Sequence, residues 1–149
     1  MDMNKTTTDF VAAILAQEGV PFAIQGRNAF NVLDCVGVVA VPAAMVGVVL
    51  EPIEPYRLNC DYSGRLYAYF QRNFDVVPLD AFKIGDVLLF WLAKPSKPRH
   101  IGTVLPGTNQ GAAFNFMHTS ESAGKVVQNA LSVRWISHIH SAWRLRGLD

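Results

Sequence analysis

The stretch NVLDCVGVVAVPAAMVGVVL, residues 31–50, sets a cysteine after an aspartate at the mouth of a long apolar run, and its reading decides the fold. As a strand, the run would join a buried sheet. As a helix, it would put Cys35 at a positively polarised N-terminus. Local signals pull both ways. VGVVAV is rich in β-branched residues, and propensity favours the strand slightly. The length of the run together with PAAMVG suits a helix kinked near Pro42. Val36–Leu50 carries no charge but falls short of the roughly 20 apolar residues that cross a bilayer, and Pro42 interrupts it. It reads as buried core, with no membrane span.

Outward from this run, 149 residues suit one domain spanning 1–149, with half the residues apolar and 17% charged. That composition is globular and excludes disorder. A formal charge of +1 announces neither nucleic acid nor anionic lipid as a partner. Cys35 and Cys60 need no disulfide framework to explain stability. The N-terminal segment MDMNKTTTDFVAAILAQEGV lacks the long apolar core and cleavage site of a secretion signal. The expectation is a protein that folds in the cytoplasm of its maker and reaches any outside target by another route.

Thr8–Glu18 reads as a helix, with Phe10, Ile14 and Gln17 on one face, Thr7 or Thr8 as cap and Gly19 as stop. Residues 19–33 read as a loop. EPIEPY is irregular and extended because each proline pushes its predecessor out of the helical region. A helical period returns from Gly64 to Phe74, with Leu66, Tyr69, Phe70 and Phe74 together. GDVLLFWL (85–92), HIGTVL (100–105), AFNFMHTS (113–120) and SHIHSAWRLR (137–146) have strand lengths with turn residues between them. Helices first and strands later predict an α+β domain, the N-terminal helices packed on an antiparallel sheet formed by the C-terminal half.

Chemistry concentrates in LDCVG, RHIGTVL and FNFMHTS. The two-residue strand period puts His100, Gly102 and Val104 on one face, and Phe114, Phe116 and His118 on one face of the next segment. If the two strands are neighbours, both histidines share a face, and a helix N-terminus carrying Cys35 across it would complete a Cys–His–His group. A free thiol with a pKa near 8.5 is mostly protonated at neutral pH. A helix N-terminus and an adjacent imidazolium favour the thiolate, and the imidazole then shuttles the proton between nucleophile and leaving group.

LDCVG, then GDVLLF, HIGTVL and MHTS in that order resemble the NlpC-type cell-wall cysteine peptidases of the papain-like superfamily. The closing SHIHSAWRLRG is similar to that family's last strand, which often ends in an aromatic–Arg pair. The resemblance runs from about Phe10 to Gly147. It implies a papain-like NlpC-type fold with Cys35 as nucleophile, His100 as base and His118 as the group orienting His100. It also implies a Cys35 backbone N–H in the oxyanion hole, and Asp34 shaping the site or holding a substrate amino group. The substrate it implies is a peptidoglycan stem peptide, cut at the amide between γ-D-glutamate and a diamino acid, with no cofactor. The segment EPIEPY…D…GRLYAYF resembles the stand-alone peptidases in tail modules of phages and gene transfer agents. That implies a virion component, partnered by phage tail-tip or hub proteins and carried by the particle to the bacterial envelope.

Two departures from the family pattern stand out. Phe22 replaces the tyrosine whose hydroxyl commonly faces the site, and Val36 replaces the usual serine after the cysteine. They favour one alternative, a structural tail protein that keeps the fold with little activity. A thiol acyltransferase or amidase using the same dyad is another. His138 and His140, two apart on one strand, are the residues a zinc module would use, but no Cys-x-x-Cys or His-Glu-x-x-His spacing accompanies them, and no metal is expected. Cys60 and the scattered cations Arg27, Arg57, Lys97 and Arg99 read as ordinary structural or surface residues.

Overall fold

The computed structural model describes residues 5–21, 27–28, 32–33, 36–51, 64–91, 98–108, 111–120 and 122–148. Helix α1 (Thr7–Leu15) starts at a reciprocal cap: Thr6 accepts from the Asp9 backbone while the Asp9 carboxylate accepts from the Thr6 backbone. A two-stranded ribbon, β1 (Arg27–Asn28) with β2 (Val32–Leu33), lies within the segment expected to be loop. The apolar run that follows is helical, as α2 (Gly37–Met45), so the slight β preference of VGVVAV is overridden. Its flanks explain this. Val36, Val38, Val39, Pro42 and Ala43 are all buried, so tertiary packing rather than propensity selects the conformation. Pro42 sits inside the helix and removes one backbone donor.

Helix α3 (Arg65–Asn73) buries Leu66, Tyr69 and Phe70. The helical period expected through Phe74 stops at Asn73, and Phe74 opens strand β3 (Phe74–Val77). The remaining elements are β4 (Val87–Phe90), β5 (His100–Pro106), β6 (Phe114–Ser120), β7 (Lys125–Ala130), helix α4 (Val133–Ile136) and β8 (Ile139–Leu145). Strands β3 to β8 form one antiparallel sheet in the order β3-β8-β4-β5-β6-β7. The α+β architecture expected from the sequence is therefore present, with β3 and β7 added at the two edges.

The sheet has two unlike faces. Val87, Leu89, Ile101, Leu105, Met117 and Trp143 join the buried residues of α1, α2 and α3 in one core. Leu88, Phe90, Val104, Phe116 and Ala142 form a second cluster on the opposite face, with Leu131 and Trp135 against it. The Gly-Asp and Trp-Arg motifs meet between β4 and β8: Arg144 Nε and Nη2 each donate to the buried Asp86 carboxylate at 2.8 Å. The Lys83 backbone N–H donates to Asp86 as well, at 2.9 Å. Gly85 just before it has φ +95°, and a Cβ there would meet Thr7 Cγ2 at 2.3 Å. Only glycine satisfies both the backbone sign and the close approach of α1.

Candidate active site

His100, the first residue of β5, and His118, near the end of β6, project from the second face. The neighbouring strands and shared face expected from the sequence are both present. His100 Nε2 lies 2.7 Å from His118 Nδ1, and the rings are nearly perpendicular at 86°. His118 Nε2 lies 2.6 Å from Asn129 Oδ1 on β7. The register that brings Asn129 within reach pairs Phe116 with Asn129 and His118 with Val127.

This chain assigns the protons. With the Asn129 amide oriented oxygen-first, Oδ1 can only accept, so His118 carries its proton on Nε2. His118 Nδ1 is then the acceptor for an Nε2–H on His100. The lone pair of His100 is left on Nδ1, which makes that atom the base. Aromatic rings hold the pair. Trp135 of α4 stacks on His100 at 5.8 Å and 27°, and meets His118 edge-on at 5.4 Å. Phe116 stacks on His118 at 4.5 Å. Phe90 and Phe116 also fill the space over Gly102, where a Cβ would come within 2.6 Å of Phe116 Cδ2. The gap that glycine leaves is therefore used by a packed ring.

Burial lowers the pKa of both imidazoles. His100 is held well below the ordinary histidine value by desolvation, to which the neighbouring His118 adds. His118 is lowered by desolvation against the opposing hydrogen bonds to Asn129 and Thr119. Both are neutral at pH 7, the state in which His100 accepts a proton.

Cys35 and Asp34 lie outside the described residues, as do Phe22 and Cys60. Val36, next in sequence to Cys35, is the N-cap residue of α2 and is buried. Helix α2 begins at Gly37, past the Cys35 position that the expectation concerns. Its buried side chains belong to the core with Ile101 and Met117, on the other side of the sheet. His138 and His140 do not share a strand face: His138 precedes β8, where Nδ1 donates to the Arg134 carbonyl at 2.9 Å, and His140 binds the Ser141 hydroxyl at 2.9 Å. Among the described residues, no three His, Cys, Asp or Glu side chains converge as metal ligands. No helix among them is long and apolar enough to cross a membrane.

Asn129 and Trp135 were not singled out from the sequence. KVVQNA lacks clean alternation, which hid β7. In LSVRWISH the serine before Val-Arg-Trp is a capping signal, and Ser132 does cap α4 by accepting from the Trp135 backbone N–H.

No family model matches the sequence, and no curated protein sequence matches it. Solved structures do. An NLP/P60-family protein of Staphylococcus aureus, described as similar to lipoprotein, superposes with TM-score 0.63 at 18% identity, over 97% of this chain and 45% of that one. NlpC2 of Trichomonas vaginalis gives 0.67 at 13% identity, over 97% and 48%. The NlpC/p60 domain of the peptidoglycan hydrolase SagA gives 0.61 at 17% identity, over 94% and 99%. The chain has the NlpC/P60 fold. It spans less than half the length of the first two proteins and nearly all of the SagA domain.

Proposed function

We propose that this chain is a cysteine peptidase cleaving peptidoglycan stem peptides, with Cys35 as nucleophile, His100 as base and His118 as the residue orienting it. The observation that carries the reading is the His100–His118–Asn129 chain within an NlpC/P60 fold. In the first step the Cys35 thiol proton passes to His100 Nδ1 as sulfur bonds the substrate carbonyl carbon. The resulting oxyanion is met by the Cys35 backbone N–H. The C–N bond then breaks and the amine leaves with the proton from His100. Water attacks the thioester, giving its proton to His100 and returning the thiol. Asp34 holds a substrate ammonium. This chemistry calls for no metal or cofactor.

The bond proposed is that between γ-D-glutamate and the diamino acid. Delivery by a phage tail or similar particle, with tail-tip or hub proteins as partners, is the accompanying proposal; particle fractions probed for the chain test it. Digestion of purified sacculi tests the chemistry. New amine termini that disappear with Cys35→Ala support it, and identical product profiles for the two proteins exclude it. Phe22 and Val36, the two departures from the family pattern, favour a second reading, a structural protein retaining the fold. That reading predicts no new termini at any enzyme concentration.

A further inference from the structure

A second feature lies beside the histidine pair: an open pocket of about 280 Å³ lined by Trp91, Arg134, Trp135 and His138. Its chemistry is specific. His138 Nδ1 and the Ser137 hydroxyl both donate to the Arg134 carbonyl, at 2.9 and 2.7 Å. With its proton on Nδ1, His138 keeps a lone pair on Nε2 that accepts from a ligand N–H or O–H. The exposed Arg134 side chain supplies planar donors that match a carboxylate. Two indoles give apolar walls. The pocket thus offers a cation, an acceptor and flat hydrocarbon in one place. Trp135 is common to both features, lining the pocket while stacking on His100.

We propose that this pocket binds a peptide carboxylate with a neighbouring N–H, the carboxylate on Arg134 and the N–H on His138 Nε2. Resting on the peptidase reading, this makes the pocket the subsite that selects acidic over amidated substrate peptides. Trp135 would carry the bound segment alongside the base. The selectivity comes from charge and bidentate geometry: a carboxamide in the same position carries no negative charge, offers one acceptor oxygen instead of two, and turns an N–H donor toward the guanidinium.

The test uses the full chain carrying Cys35→Ala, so that binding is read without turnover. The probe is the acetylated tripeptide L-Ala-γ-D-Glu-L-Lys with both carboxylates free, compared with its α-amidated and C-terminally amidated forms. Indole fluorescence of Trp91 and Trp135 follows the titration. The free acid is expected to bind about tenfold more tightly than one of the amides, a difference that shrinks as salt screens the charge. Arg134→Gln should erase this preference, and Arg134→Lys should keep part of it. Equal affinity for all three peptides, or a preference unchanged by Arg134→Gln, overturns the proposal. Arg134-dependent binding together with wild-type chain that cuts no peptide would leave the pocket standing and remove the hydrolase. Hydrolysis with no Arg134 dependence would do the reverse.

Discussion

The two faces of the sheet are built from similar strands and do different work. The first meets three helices through an almost wholly apolar core that includes Phe10, Phe70, Leu89 and Met117. Among the described residues, the second meets the one-turn helix α4 and Leu131, and carries a chain of three polar side chains into that layer. Alternation along β5 and β6 is what separates them, because each residue step turns the side chain to the other face. The larger apolar core lies on one side, and the proposed proton-transfer chain on the other.

The largest effects should separate the faces cleanly. Phe70→Ala on the helix-covered face is expected to cost about 3–5 kcal/mol in urea unfolding, from lost burial and a residual cavity. His100→Ala on the other face should lower muropeptide hydrolysis by about a thousandfold or more, with a smaller loss of about 1–3 kcal/mol in unfolding free energy from the unpaired His118. If His100→Ala unfolds the protein as severely as Phe70→Ala does, the division of labour is wrong.

A smaller effect tests how tightly the histidine face is packed. Gly102→Ala must displace the Phe116 ring, which also stacks on His118, so a loss of about 1–3 kcal/mol in stability is expected together with reduced activity. Unchanged activity would mean that Phe116 does not hold the imidazole. Next in size is Asn129→Ala. This residue is exposed, so its loss should leave unfolding nearly unchanged while reducing kcat about tenfold. The signature is the tautomer: nitrogen NMR should show His118 shifting from a single Nε2–H form to a mixture.

The two faces should also separate in the pH dependence of stability. Both histidines have folded pKa values below their unfolded value of about 6.5, so the unfolded chain binds more protons on acidification. Their contribution is fully present above pH 6.5 and is lost as pH falls through the lowered folded values. Urea midpoints should decline over that range in the wild type, and more shallowly in a His100→Phe, His118→Phe variant. A parallel decline in both would place the titrating groups elsewhere.

Much of this was legible in the residues. HIGTVL and FNFMHTS alternate clearly, so period two gave their strands and, once the strands are neighbours, a common face for His100 and His118; the pairing of the two histidines came from the family resemblance. GDVLLF and SAWRLR were readable as strands, although the Asp86–Arg144 pair that ties them required coordinates. The apolar run after Cys35 was ambiguous because β-branched residues suit a buried strand, and only its packing against α1 and β1 makes it helical. Phe74 was read as helix because it falls on the Leu66–Phe70 stripe; it keeps its place in that core from the first position of a strand, stacked on Phe70 at 4.4 Å. Asn129 was invisible because strand β7 mixes polar and apolar residues on both faces. The side of the sheet on which α2 packs has no local sequence signal, since apolar residues suit either core.

The most direct measurement of the account is the rate of iodoacetamide labelling at Cys35 as a function of pH, followed by peptide mapping in a Cys60→Ser background with and without His100→Ala. Coupling of the thiol to the histidine chain predicts an apparent thiol pKa below the usual value of about 8.5, moving up toward it when His100 is removed. A value near 8.5 in both proteins would contradict coupling of the sulfur to the imidazole.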